Sequence, residues 1–198
     1  MKRDAPNAMD MTPRGVLLTE AQDDWLFHAT GGRDIDPLDS IVKTKRLKPS
    51  SSYLPPKSQF ISFSADPHVV WGWYSLVFRK STLRAKGAIP VEYTEAWALA
   101  HPDHLVYITG RKRSSYASKA EWFASAMESF LNKAHEKEWV TSRPGKSVAL
   151  QGALVAVLDV RPWPRPSDLA MLRKQFAGIV QPEYVTTLRR GMKLIKKS

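Results

Sequence analysis

The chain has 198 residues, 43% of them hydrophobic and 25% charged, which is enough to bury a full core and normal for a soluble globular protein. It has no cysteine, which excludes disulfides, thiol nucleophiles and Cys-ligated metal sites. Its 30 Lys and Arg against 19 Asp and Glu give a net charge of +11, and residues 161–198 alone hold nine basic and two acidic residues. Such a balance suits a nucleic acid backbone, an anionic cofactor or an acidic partner, and equally a solvated face that aids solubility. No apolar run reaches membrane-spanning length, and Val16-Leu-Leu18 is too short for a signal-peptide core, so the expected address is cytoplasmic with no membrane partner.

In chain order, residues 1–24 are polar and read as a loose or partly helical arm. The run 25–29 reads as a strand. Asp36-Pro37 is an N-cap followed by a first-turn proline and opens a helix to about residue 45. Residues 48–57 form a loop by their Ser and Pro content, and 60–64 form a second strand. Ala65-Asp-Pro67 opens a short helix through residue 74. Runs 76–79 and 88–93, around Lys86-Gly87, resemble a β-hairpin, and 105–109 another short strand. The clearest helix covers 118–133, opened by the capping box Ser118-Lys-Ala-Glu121, with an apolar stripe through Trp122, Ala126 and Phe130. An extended run at 135–140, a strand at 153–160 and two short helices at 167–176 and 182–190 complete an α+β pattern. There is no internal repeat, and the expected organisation is one domain over 25–198 behind the arm.

Several familiar chemistries are absent. Gly145-Lys146-Ser147 resembles the end of a phosphate-binding loop, but Val140 stands where that loop needs glycine, so the backbone cradle cannot form. His101-Pro-Asp103-His104 contains metal-capable groups in a turn-like context and reads as a satisfied surface pair; no metal site is expected. What stands out is Trp25-Leu-Phe-His28 followed by Phe60-Ile-Ser62-Phe-Ser64, two apolar strands with polar residues set into them. Alternate side chains of a strand share a face, so these polar positions suit the lining of a ligand cleft.

Phe27-His28, Ile61-Ser62-Phe63-Ser64 and the later Glu136-Lys137-Glu138 occur in an order that resembles the ADP-ribosyltransferase superfamily, in its toxin-like and abortive-infection-like branch. The resemblance covers about residues 25–140. It implies a split, curved β-core flanked by helices, and transfer of ADP-ribose from NAD to a protein or nucleic acid acceptor, as in a toxin or a phage–host conflict factor. His28 stands where an Arg is usual in the arginine-modifying branch, and Phe63 replaces the middle Thr of the serine motif.

Within that resemblance, Glu138 is the catalytic carboxylate, stabilising the positive charge that builds on the ribose as the nicotinamide bond breaks. Glu136 positions or deprotonates the acceptor. Ser62 and Ser64 form the serine motif, with Ser62 orienting the carboxylate, and His28 contacts the NAD ribose or phosphate region. Trp73 and Tyr74, in the cluster Trp71-Gly-Trp73-Tyr74, are candidates for stacking on nicotinamide or adenine, a placement inferred from their aromatic character. Each residue also has a plain structural reading: a core histidine, strand serines, surface carboxylates and packed aromatics. Two other classes of function stay open, a nucleic-acid-binding module using the basic surface and a non-catalytic binding protein of the same fold that inhibits a protein complex.

Overall fold

The computed structural model describes residues 9–10, 17–18, 25–31, 38–49, 59–66, 72–161 and 165–187. The architecture is mixed α+β. The strands are β1 (Met9–Asp10), β2 (Leu17–Leu18), β3 (Trp25–Thr30), β4 (Arg46–Leu47), β5 (Ser62–Ser64), β6 (Tyr74–Arg79), β7 (Ala88–Pro90), β8 (Glu138–Thr141), β9 (Val148–Ala149), β10 (Leu154–Asp159) and β11 (Val185–Thr187). The helices are α1 (Leu38–Thr44), α2 (Lys80–Ala85), α3 (Glu95–Ala100), α4 (Pro102–Thr109), α5 (Lys119–Leu131) and α6 (Pro166–Gln175). None of the described helices is long and apolar enough to cross a membrane.

Seven strands form one sheet in the order β11-β10-β6-β3-β5-β8-β7; β1 with β2, and β4 with β9, make two-stranded ribbons. Within the seven-stranded sheet all neighbours are antiparallel except β10 and β11. β3 and β6 pair along their full lengths, from Trp25 with Arg79 to Thr30 with Tyr74. β3 and β5 meet at a single pair, Phe27 with Ser64. That narrow seam divides the sheet into two well-paired halves, and His28 lies beside it.

Strand alternation explains how the core is shared. Leu26, Leu76, Phe78, Phe63 and Trp139 point to one side, where they pack with Leu38 and Ile41 of α1 and Leu172 of α6. Trp25, Phe27, Val77, Ala156 and Leu158 form a second cluster. Val140 turns away from its neighbour Trp139 and joins Trp97, Leu105, Trp122, Ala126 and Phe130 from α3, α4 and α5. α5 starts as its sequence requires: Ser118 Oγ accepts from the Glu121 N–H at 3.1 Å, and Glu121 Oε2 accepts from the Ala117 N–H at 3.1 Å.

Several expectations are corrected. Runs 76–79 and 88–93 are not a hairpin: α2 intervenes, β6 lies between β10 and β3, and β7 pairs with β8 across the sheet. Residues 105–109 are helical, because Pro102 at the first turn and Gly110 in the left-handed conformation bracket α4. The helix expected over 65–74 gives way to β6 at Tyr74; residues 67–71 lie outside the described residues, as does Trp71. Gly72 is required by proximity, since a Cβ there would stand 2.7 Å from the Thr30 carbonyl oxygen. The helix expected over 182–190 is instead a single 3-10 turn at Pro182–Tyr184 leading into β11, and the rest of it lies outside the described residues. In the expected N-terminal arm, the described residues form the β1–β2 ribbon.

Phe130 is fully buried, with its ring 4.8 Å from Tyr93 and 5.7 Å from Trp97. Phe130→Ala is expected to destabilise the fold by about 3–5 kcal/mol, as measured by the urea midpoint.

Candidate functional site at the head of β8

Glu138 opens β8 and is preceded by an unusual turn. A 3-10 turn at Ala134–Glu136 ends on Lys137, whose φ of 46° and ψ of 48° place a non-glycine residue in the left-handed region. Such a conformation costs on the order of 1 kcal/mol and persists only where its surroundings hold it. The Lys137 carbonyl accepts from the Ala65 N–H at 3.0 Å. The Ser64 hydroxyl donates to the Glu136 carbonyl at 2.7 Å and accepts from the Asp66 N–H at 2.9 Å. Ser64 is therefore committed to the main chain: it clasps the turn that delivers Glu138, and this replaces the cofactor contact expected of it.

The pairing of β5 with β8 sets Ser64 opposite Glu138 and Ser62 opposite Val140, so both serines share the face of Glu138. Burial of this face raises the Glu138 carboxyl to a pKa of about 7, against 4.5 for the free group. Lys133 opposes the rise, Glu136 adds to it, and the hydroxyls of Ser62 and Tyr93 partly offset it. Glu136 itself pairs with Lys133 across 3.6 Å, one helical turn before it.

Two tyrosines that the sequence did not single out complete the surroundings. Tyr93, in the loop after β7, has its phenol pushed well above the usual range by burial and by the Glu138 charge. Tyr107, on α4, is raised to about 12, mainly by burial, with the Glu138 charge adding and Ser62 opposing. Among the described residues, Tyr93 Oη and Glu138 Oε2 are buried without a hydrogen-bond partner. The two groups lie near enough to influence each other's charge, yet no hydrogen bond of good geometry joins them. The signal that would have revealed Tyr107 was present in the bracket of Pro102 and Gly110; nothing local marks Tyr93.

His28 takes a different position. Because Phe27 pairs with Ser64, alternation gives His28 the side of Phe63, whose ring is 5.7 Å away, and not the side of Glu138. Its Nδ1–H donates to the Ser62 carbonyl at 2.8 Å, which fixes the tautomer and leaves Nε2 as an acceptor. Desolvation holds its pKa below the ordinary 6.5, so the ring is neutral at pH 7. The histidine and the carboxylate are thus linked through the Ser62 main chain and do not meet directly.

The aromatic candidates also fall outside the Glu138 cluster. Tyr74 is buried beneath the Arg161 guanidinium, 5.2 Å from its ring centre, and that guanidinium binds Asp159 at 2.6 Å and Asp168 at 3.0 Å. This packing explains Tyr74 in structural terms. Trp73 is half-buried, its N–H bonded to Thr30 and its carbonyl to Val160. His104, expected at the surface, is buried on α4 with Nε2 3.0 Å from the Thr141 carbonyl oxygen. Among the described residues, no group of three or more His, Asp or Glu is gathered to hold a metal ion.

The Glu138 carboxyl makes stability depend on pH in a definite direction. The folded chain keeps this proton up to about pH 7, whereas the unfolded chain releases it near 4.5. The contribution is complete below 4.5 and is lost as pH rises through 7, on the order of 3 kcal/mol in all. Glu138→Gln, which cannot ionise, is expected to be increasingly more stable than wild type from pH 5 to pH 8. Equal pH slopes for the two proteins in chemical denaturation would contradict the burial.

Comparison with protein-family models, with curated proteins and with solved structures gave no match.

Proposed function

We propose that the protein is an NAD-dependent ADP-ribosyltransferase acting on a protein or nucleic acid acceptor. One observation carries the reading: the strands bearing His28, Ser62 and Glu138 are consecutive neighbours in the sheet, and the last of them opens on a buried carboxyl. That is the order of the three motifs that resemble the superfamily. The unpartnered Glu138 Oε2 also fits a ribose, because a buried acceptor without a donor is completed by a ligand hydroxyl.

NAD would supply the ADP-ribosyl group through its nicotinamide–ribose bond, whose cleavage builds positive charge on the sugar. Glu138 opposes that charge from a desolvated position, where a carboxylate acts more strongly than in water. Ser62, on the same face, favours its ionised form. Neutral His28 offers Nε2 as an acceptor for a sugar hydroxyl. Glu136, one residue beyond the left-handed Lys137, is the candidate to receive the acceptor's proton. The net charge of +11 suits both an anionic dinucleotide and a nucleic acid acceptor.

A second reading, a binding protein of this kind without turnover, draws on the placement of His28 across the sheet from Glu138. Nicotinamide release separates the two. Wild type offered nucleic acid or cell lysate as acceptor is expected to release nicotinamide, with kcat/KM rising through a midpoint near pH 7 as Glu138 ionises. Glu138→Gln should lower the rate by about 100-fold or more, the usual cost of removing an electrostatic stabiliser. Absence of release by wild type with every acceptor would favour the binding protein.

A further inference from the structure

The Tyr93 hydroxyl has no role in the chemistry above, yet its position is strongly determined. Its ring lies against Phe130, which lies against Trp97, so α5 and α3 together fix the direction of the phenol. The segment after β7 is tied to the site by the Val91 N–H, which donates to the Glu138 carbonyl at 2.9 Å. At the end of this support stand Tyr93 Oη and Glu138 Oε2, two buried oxygens without hydrogen-bond partners. Leaving buried polar atoms unpaired costs about 1–3 kcal/mol each, so a pair of them side by side calls for a group that serves both. One is a phenol able to donate and the other a carboxylate able only to accept when ionised. A single bridging atom that accepts from the first and donates to the second must be a hydroxyl oxygen. A cation cannot accept from the phenol, and an anion cannot donate to the carboxylate.

We propose that Tyr93 is a substrate-binding residue that, with Glu138, clamps one hydroxyl of the nicotinamide ribose between Oη and Oε2. The proposal rests on the transferase reading and adds a contact to it. The clamp holds the sugar against the carboxylate, so that positioning and charge stabilisation act at one point. The Tyr93 donor also favours the ionised form of Glu138, the form that opposes positive charge on the sugar.

The test is a double-mutant cycle on binding, with a carbocyclic NAD analogue that cannot lose nicotinamide and its versions lacking the 2′- or the 3′-hydroxyl of that ring. Wild type and Tyr93→Phe are compared, with circular dichroism confirming the fold of the nearly isosteric variant. Tyr93→Phe is expected to weaken the parent analogue about tenfold, as loss of one hydrogen bond to a buried site implies. Removing one of the two hydroxyls should cost wild type a similar factor but cost Tyr93→Phe little, because the clamp is already broken. Full additivity with both deoxy analogues, or unchanged binding by Tyr93→Phe, would overturn the clamp while leaving the transferase reading intact. Failure of wild type to bind the parent analogue would overturn both.

Discussion

Desolvation of one carboxyl is the constraint around which this structure is arranged. Glu138 stands at the first position of β8, where the strand leaves a 3-10 turn and passes beneath α4 and α5. A strand-opening glutamate would ordinarily reach solvent and titrate near 4.5. Here the Ser62–Ser64 strand lies on one side and Tyr93 and Tyr107 contribute from the helical side, so the group is kept from water and its proton is held to about pH 7. The fold accepts a loss of stability at neutral pH to do this. Such a cost at a buried carboxyl is the physical mark of a site built for chemistry rather than packing.

The surrounding structure holds that carboxyl by main-chain means. Ser64 ties Glu136 and Asp66 together, the Lys137 carbonyl takes the Ala65 N–H, and Lys137 bends through the left-handed region between the two glutamates. His28 is attached to the same frame through the Ser62 carbonyl. The serine-bearing strand therefore connects histidine to carboxylate even though their side chains leave the sheet on opposite sides. The single β3–β5 pair is the narrowest point of the sheet, and it lies between these two groups.

Much of this was legible in the residues. The strand at Trp25, the capped helix at Ser118 and the strand run at Leu154 each follow from local periodicity or capping, and each is present. The motif order His28, Ser62-Phe63-Ser64, Glu138 correctly marked three strands that neighbour one another. The errors have physical causes. The apolar run at Leu105 has the composition of a strand, but Pro102 and Gly110 close it as a helix, and burial of His104 against the Thr141 carbonyl completes that packing. The pairing of β7 with β8 is a contact between distant segments, which turn chemistry at Gly87 cannot report. Tyr93 enters the site only through that pairing and the ring stack on Phe130, so no local pattern announces it. Tyr74 was misjudged because its partner, Arg161, lies far along the chain.

The most direct test of this account is a pH titration of the Glu138 side-chain carboxyl by carbon NMR, assigned by the signal that disappears in Glu138→Gln. The account predicts a midpoint close to 7 in the free protein. A midpoint in the ordinary glutamate range, near 4.5, would show the carboxyl to be solvated and would remove the physical basis for placing the chemistry there.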